Sequence, residues 1–347
     1  MKSLQQQSQR PEPRPQLLQG LAADLTSLLQ KRHGTEGEPE ADPDILLPAD
    51  EAYAEIIGGP FDATDFDFRR PDYSPIFQRR ADALAVLQER PGLLVPVKKY
   101  YADNPADFIT DWANTFNPLN QGQGLPTTLP FVLFERQREW IDYVIRKWHA
   151  RERGLTEKSR EVGMSWLAIG LSCTMCLFNR EFVVGFGSYK KEYVDEAGDP
   201  KSLFWKARFF IEHLPAEFRG SWEKSRHAPQ FRIFFPDTGS VIFGDVGDEL
   251  GRGGRSAMFF VDEAARLAHP ELVEASLSFT TNCRMDISTP NGLANTFYQN
   301  RNSGRSKSRQ SSRKRFLLTH RRLNKSSNHI SPHDYLLLPA PHLRLAV

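Results

Sequence analysis

Apolar positions change period twice along the chain, and each change marks a different kind of structure. Near the start, Leu17, Leu18, Leu21, Leu25, Leu28 and Leu29 fall at helical spacing within a polar run rich in Gln, Pro and Glu. That pattern predicts a short amphipathic helix inside a largely unstructured segment over 1–45. A helix of that length is marginal alone in water, so it docks on the body or on a partner. The acidic stretch over 42–75 carries Phe61, Phe66 and Phe68 without a period that assigns it. Helical spacing returns over 75–89 with Ile76, Leu84 and Leu87, and Pro91-Gly92 stops it. Pro105 opens a helix bearing Phe108, Ile109 and Trp112; Asn117-Pro118 ends that region and a polar Gly/Gln loop follows to about Thr128. A helix over 135–150 then sets Trp140, Ile141, Val144 and Ile145 on one face.

From Thr156 onward, short apolar runs alternate with helical ones, which is the pattern of a parallel α/β sheet. Helices are expected over 163–178 and 200–213, the latter with Leu203, Phe204, Ala207, Phe210 and Ile211 turned inward. Strands are expected over 181–187, 257–261 and 283–288. Pro236-Asp237-Thr238-Gly239 separates the runs 231–235 and 240–243 and predicts a hairpin.

Composition alters this picture in three places. The chain of 347 residues, 39% hydrophobic and 25% charged, is long enough for one large domain with appendages or for two. No apolar run reaches the roughly 18 residues of a membrane span, and the polar start lacks a signal-peptide core. The net charge of +2 hides an asymmetry: 301–347 hold 11 Lys/Arg and one Asp, while the residues before them hold 34 basic and 42 acidic side chains. The body is therefore mildly acidic and the overall pI says little about nucleic-acid binding. Cys173 and Cys176 are spaced C-x-x-C, but neither a second pair nor a histidine pair stands near, so they read as core residues one helical turn apart.

Three polar clusters carry candidate chemistry. The stretch 157–166, E-K-S-R-E-V-G-M-S-W, reads as a phosphate loop entering a helix. In the usual G-x-x-x-x-G-K-[ST] pattern, backbone N–H groups cradle phosphates, the lysine reaches the β/γ-phosphates and the hydroxyl holds Mg²⁺. Here Gly163 and Ser165 are in place, Met164 occupies the lysine slot, and Lys158 stands where the first glycine would be. Second, the run Ala257-Met258-Phe259-Phe260-Val261 ends in Asp262-Glu263. A buried strand delivering two carboxylates suits a phosphate-bound Mg²⁺ and an attacking water. Third, Ser288-Thr289-Pro290-Asn291-Gly292 follows a strand, with Ser288, Thr289 and Asn291 able to hydrogen-bond a γ-phosphate. Each cluster also has an ordinary reading, as a solvated strand end or a turn. Upstream, Gln137 near a helix start has an amide suited to an adenine edge.

Taken in order, these clusters resemble the large terminase subunit of tailed bacteriophages, the ATPase that pumps DNA into the procapsid. The loop K-S-R-E-V-G-M-S carries the resemblance, because some terminases also move the lysine to the loop's start. Gly251-Arg252-Gly253-Gly254-Arg255-Ser256 running into M-F-F-V-D-E-A-A carries it too, as does S-T-P-N-G, which is similar to the family's coupling motif. The stretch from Tyr100-Tyr101 through Trp112 looks like the region upstream of such ATPase cores. The resemblance covers about 95–300.

It implies a P-loop NTPase fold of the α/β class, a mainly parallel sheet flanked by helices, with a helical N-terminal lead-in over 46–130, an ATPase domain over 131–302 and a disordered basic tail over 303–347. It implies ATP and Mg²⁺ as cofactors. Lys158 would neutralise β/γ-phosphate charge, and Arg160 would supply the charge of an arginine finger. Ser159, Arg160, Glu161, Val162, Gly163 and Met164 would wrap the phosphates. Ser165 and Asp262 would hold the metal, and Glu263 would activate water. Gln137 would sit near adenine, while Ser288, Thr289 and Asn291 would sense the γ-phosphate. Double-stranded DNA, a portal protein, a small terminase subunit and a homo-oligomeric ring follow as partners, without a membrane, in the cytoplasm of an infected or prophage-carrying bacterium.

A complete large terminase also has a nuclease domain. The 43 residues after Gly304 hold Asp334 as their sole carboxylate side chain, too few acids for a two-metal centre. The expectation is a truncated or frame-shifted ATPase half; the alternative for this tail is a basic arm gripping DNA phosphates. Two other functional readings stay open: a helicase-like translocase, and a degenerate P-loop protein that docks on a partner without hydrolysis.

Overall fold

A computed structural model describes residues 42–302, apart from 65, 69, 123, 125, 161, 293 and 294, together with the backbone of Arg315–Leu318. The chain divides into two units, Met1–Pro43 and Asp44–Val347. The helix expected around 17–29 lies outside the described residues, as does Glu161.

The lead-in is helical. It comprises α1 (Ala49–Ile57), α2 (Ser74–Glu89), α3 (Leu94–Asp103) and α4 (Pro105–Trp112). Gly58 ends α1 in the left-handed region at φ 80°, where its N–H reaches the Ala54 carbonyl, a conformation that favours glycine. A polar knot on α4 joins these helices. Tyr53 and Tyr101 donate to Asp111 at 3.0 and 3.2 Å, and the Trp112 indole donates to the Tyr101 hydroxyl at 2.8 Å. Burial pushes the Asp111 carboxyl up to about 6, against the opposing pull of Arg79 and of the tyrosine hydrogen bonds. A small ladder of β1 (Asn114–Phe116) and β2 (Thr128–Pro130) leads to α5 (Glu135–His149). Arg138 on α5 bonds Asp107 at 2.6 Å and Thr110 at 3.0 Å, which ties α5 back to the lead-in. One continuous apolar core runs from Ala52 in α1 to Ile287 near the end of the sheet, across the boundary expected at 130.

Next come β3 (Gly154–Lys158), α6 (Met164–Phe178), β4 (Val183–Ser188), α7 (Leu203–Glu212), β5 (Arg232–Phe235), β6 (Ser240–Val246), β7 (Met258–Asp262), α8 (Pro270–Thr280), β8 (Arg284–Ser288), α9 (Thr296–Asn302) and β9 (Arg315–Leu318). The sheet has seven strands in the order β5-β6-β4-β7-β8-β3-β9. All neighbours are parallel except β5 and β6, which form the expected hairpin around Gly239 at φ 72°. The near-continuous apolar runs of β4, β7 and β8 follow from this placement, since central parallel strands are covered on both faces. Helix α6 is apolar nearly all round and buried along most of its length, including Cys173 and Cys176, whose thiols burial pushes upward.

Two features depart from the expectations. Helices α1, α3 and α8 form where none was expected, each burying residues at helical spacing: Ala52, Tyr53, Ile56 and Ile57 in α1, Val97 and Tyr101 in α3, Val273 and Leu277 in α8. Part of the basic tail is ordered as well: Arg315-Phe316-Leu317-Leu318 pairs with β3 in parallel and supplies hydrogen-bond partners to that strand's edge. The remainder of the tail lies outside the described residues.

Candidate active site

Because β3, β8, β7 and β4 are parallel, their carboxyl ends share one edge of the sheet, where crevices form in open α/β folds. The strand order decides which ends meet. The chain leaves β3 through α6 and skips two positions to β4, then later returns through β7 and α8 to place β8 between β7 and β3. In register, Glu157 pairs with Ser288, and Asp262 with Ile287. Lys158, Ser288-Thr289 and Asp262-Glu263 therefore arrive side by side although 105 residues separate Lys158 from Glu263.

The candidate phosphate loop turns between β3 and α6. Gly163 caps α6 at φ 73° and ψ 14°, in the left-handed region that a Cβ disfavours, and its carbonyl receives the Leu167 N–H at 2.9 Å. The helix N-terminus so formed points free backbone N–H groups at the crevice, the usual physical basis of anion binding. Met164, in the lysine slot, is buried in the core. The nearby cation is Lys158: its Nζ donates to Glu263 Oε1 at 2.9 Å, with the two side chains 11% and 21% exposed. Ser159 is partly exposed and Arg160 exposed in the same turn.

The second contact is between Ser165 and Asp262. The Ser165 hydroxyl donates to Asp262 Oδ2 at 2.8 Å, and Asp262 Oδ1 receives the N–H of Glu263 at 3.1 Å. Ser188 at the end of β4 fixes the strand end by donating to the Asp262 carbonyl at 3.0 Å. A hydroxyl and a carboxylate oxygen held together form an oxygen donor pair of the kind Mg²⁺ takes beside phosphate, so the residues fit the ion.

Glu263 itself lies in the left-handed region, at φ 55° and ψ 40°. A non-glycine residue there carries a strain of roughly 1 kcal/mol or more, and here it turns the carboxylate off the strand line toward Lys158. Its Oε2 faces Ser288 and Thr289 hydroxyls, both at 3.5 Å, and Arg266 Nε at 3.6 Å. Ser288 has one hydroxyl proton. The Thr289 carbonyl at 2.9 Å takes it, while Ser288 Oγ accepts the Ala265 N–H at 3.2 Å. The end of β8 is thus tied to the segment after Glu263. Asn291 does the same further along, donating to the Ala265 carbonyl at 3.2 Å.

Gln137 stands differently from the expectation of an adenine contact. It is fully buried, its Oε1 accepts the Phe134 N–H at 3.0 Å, and its Nε2 donates to the Val162 carbonyl at 3.3 Å. Its amide caps α5 and ties it to the turn after β3 at Val162. The glycine-rich loop before β7 is held from within by Asp245, which accepts the N–H groups of Gly251 and Gly253 at 2.9 and 3.4 Å. Arg252 on that loop pairs with Glu249 at the surface.

A cleft of about 280 Å³ opens beside the loop, lined by Lys158, by Val162 through Trp166, by Asn117 through Leu119, and by Lys206 from α7. Lys206 gives no signal in the sequence. A lysine among Leu203, Phe204 and Phe210 reads as the solvent face of a helix, and only the tertiary packing turns it inward.

No protein-family model and no curated protein matches the chain. Among solved structures it is similar to the large terminase of bacteriophage HK97, with a TM-score of 0.42 and 13% identity; the match covers 56% of this chain and 39% of that one. It is also similar to an arginine-to-alanine mutant of the large terminase ATPase domain of Thermus phage P74-26, with a TM-score of 0.36 and 17% identity over 52% of this chain and 79% of that one. The chain spans about two fifths of the HK97 protein's length.

Proposed function

We propose that the chain is an ATPase that drives double-stranded DNA into a viral procapsid, the ATPase portion of a large terminase. The observation that carries this reading is the pairing of Lys158 with Glu263 beside the pairing of Ser165 with Asp262 at one sheet edge. Together they supply a phosphate cation, a base and a metal-binding oxygen pair. The motifs K-S-R-E-V-G-M-S, G-R-G-G-R-S and S-T-P-N-G support the terminase assignment within that chemistry.

In the catalytic cycle, the N-terminus of α6 and Lys158 take the β- and γ-phosphates. Lys158 exchanges Glu263 for the nucleotide, which frees the carboxylate. Glu263 then accepts a proton from water as the water oxygen bonds to the γ-phosphorus and the bond to the β-phosphate oxygen breaks. Ser165 and Asp262 would hold Mg²⁺, which supplies charge neutralisation to the phosphate oxygens when bound. Arg160, exposed in the loop, adds positive charge at the γ-phosphate. Loss of the γ-phosphate alters the surroundings of Glu263, and Ser288, Thr289 and Asn291 transmit that change through Ala265 to the chain after the carboxylates. Duplex DNA, the portal, a small terminase subunit and a ring of like subunits are the partners this function requires.

A second reading has its own support: with Met164 in the lysine slot and Lys158 engaged by Glu263, the chain binds nucleotide without hydrolysing it. ATP turnover measured with and without duplex DNA separates the two. The packaging motor hydrolyses ATP and responds to duplex, whereas an inert P-loop binds ATP and releases no phosphate.

A further inference from the structure

Of the cations that line the cleft, Lys158 is already engaged by a carboxylate, and Lys206 is the one that no part of the mechanism uses. Lys206 sits in the first turns of α7, whose start is capped by Ser202 accepting the Trp205 N–H at 3.3 Å. It is 8% exposed. Its ammonium donates to the Lys201 carbonyl at 2.5 Å and lies 6.0 Å from the centroid of the Trp166 ring. Among the described residues no carboxylate lies within ion-pair distance of it. Asp262 and Asp199 attract it from further away, and Lys158 repels it. Burial lowers the amine to about 8, which leaves it protonated at neutral pH.

A buried, charged lysine without an ionic partner is costly unless something compensates it. A packing role alone is met better by an apolar side chain, and α7 has many. The position supplies a reason for the charge. The cleft that Lys206 lines is the one bordered by Gly163, Met164 and Ser165, where the α6 N-terminus presents its N–H groups. The loop's own lysine slot is withdrawn into the core as Met164.

We propose that Lys206 is a phosphate-binding cation of this cleft, reaching the nucleotide's polyphosphate from α7 in place of the lysine absent from the loop. This rests on the reading of the cleft as a nucleotide site. Two lysines from separate elements, Lys158 on β3 and Lys206 on α7, then share the task that one loop lysine performs elsewhere. Trp166, against which Lys206 lies, reports ligand arrival.

The test measures binding of Mg·ATP, inorganic triphosphate and AMP to the full chain and to Lys206→Met by calorimetry, with Trp fluorescence as a second readout. The variant should bind ATP and triphosphate about 10- to 100-fold more weakly, the range of one charge-assisted hydrogen bond. AMP affinity should stay within about twofold, and the melting temperature should be equal or higher. Unchanged ATP affinity in a folded variant overturns the proposal and leaves the nucleotide site standing. Equal losses for AMP and ATP also overturn it, since they indicate a distorted cleft. Absence of ATP and triphosphate binding by the unaltered chain removes both the nucleotide site and the proposal.

Should Lys206→Met fail to fold, an acyl-phosphate ester of ATP tests the unaltered chain. A lysine nitrogen beside the polyphosphate attacks the acyl carbon, forms an amide, loses a proton and expels ATP. Acylation of Lys206 that excess ATP suppresses is the expected result. Labelling of Lys158 with Lys206 untouched overturns the proposal.

Discussion

Replacing Glu263 by Gln separates the two roles that the proposed mechanism gives this carboxylate. Glu263 holds Lys158 at 2.9 Å, and with side chains 11% and 21% exposed the pair lies between surface and buried. Surface pairs contribute up to about 1 kcal/mol and breaking fully buried ones costs about 3–5, so roughly 1 kcal/mol is a fair value for a cleft still open to water. ATP must displace that contact to recruit Lys158. Neutral Gln removes most of the competition, so Glu263→Gln should bind Mg·ATP about fivefold more tightly. The same change removes the proposed base, and loss of general-base assistance lowers the chemical step by about 10²- to 10⁴-fold. Equilibrium binding paired with single-turnover hydrolysis, quenched in acid, reads both. Affinity that falls together with the rate would refute the competition between Glu263 and phosphate. An unchanged single-turnover rate would remove Glu263 as the base.

Two further changes probe the supports of the site. Gln137→Ala removes bonds to the Phe134 N–H and the Val162 carbonyl in a fully buried position; it should lower stability by about 1–3 kcal/mol in urea unfolding and weaken ATP binding through a loosened loop, whereas wild-type values for both would show that the amide anchors nothing. Asp111→Asn tests the lead-in: with the native carboxyl raised to about 6 by burial and the unfolded one near 3.9, the folded chain keeps a proton over that window that the unfolded chain has released. Stability from this group is therefore present below about pH 4 and lost as pH rises through 6, by about 3 kcal/mol. The difference in unfolding free energy between the two proteins should change between pH 4 and 6 and be flat above; a difference constant across that range contradicts the raised carboxyl.

Much of the candidate site was legible from local pattern. The turn 157–166, the strand ending in Asp262-Glu263 and the S-T-P-N-G loop each combine an apolar run with a break into polar residues, and that contrast lies within a few neighbours. Their convergence was not. The placement of β8 between β3 and β7 depends on pairings such as Glu157 with Ser288, more than a hundred residues apart, which no local period encodes. The burial of Lys206 and Gln137 has a shared cause. Both are polar residues on helices with apolar neighbours, where local pattern assigns them to the surface and tertiary packing buries them. Helix α8, which carries the exposed Leu272 and Phe279 on its outer side, shows the converse, since apolar residues turned to solvent blur its stripe.

Whether Lys158 does the work of the missing loop lysine decides the mechanism. ATP turnover by Lys158→Ala, with circular dichroism and melting temperature confirming the fold, tests this most directly. A loss of at least about 100-fold relative to the unaltered chain is expected, the scale for removing one charge-stabilising group at a transition state. Turnover at the unaltered rate in a folded Lys158→Ala protein would contradict it.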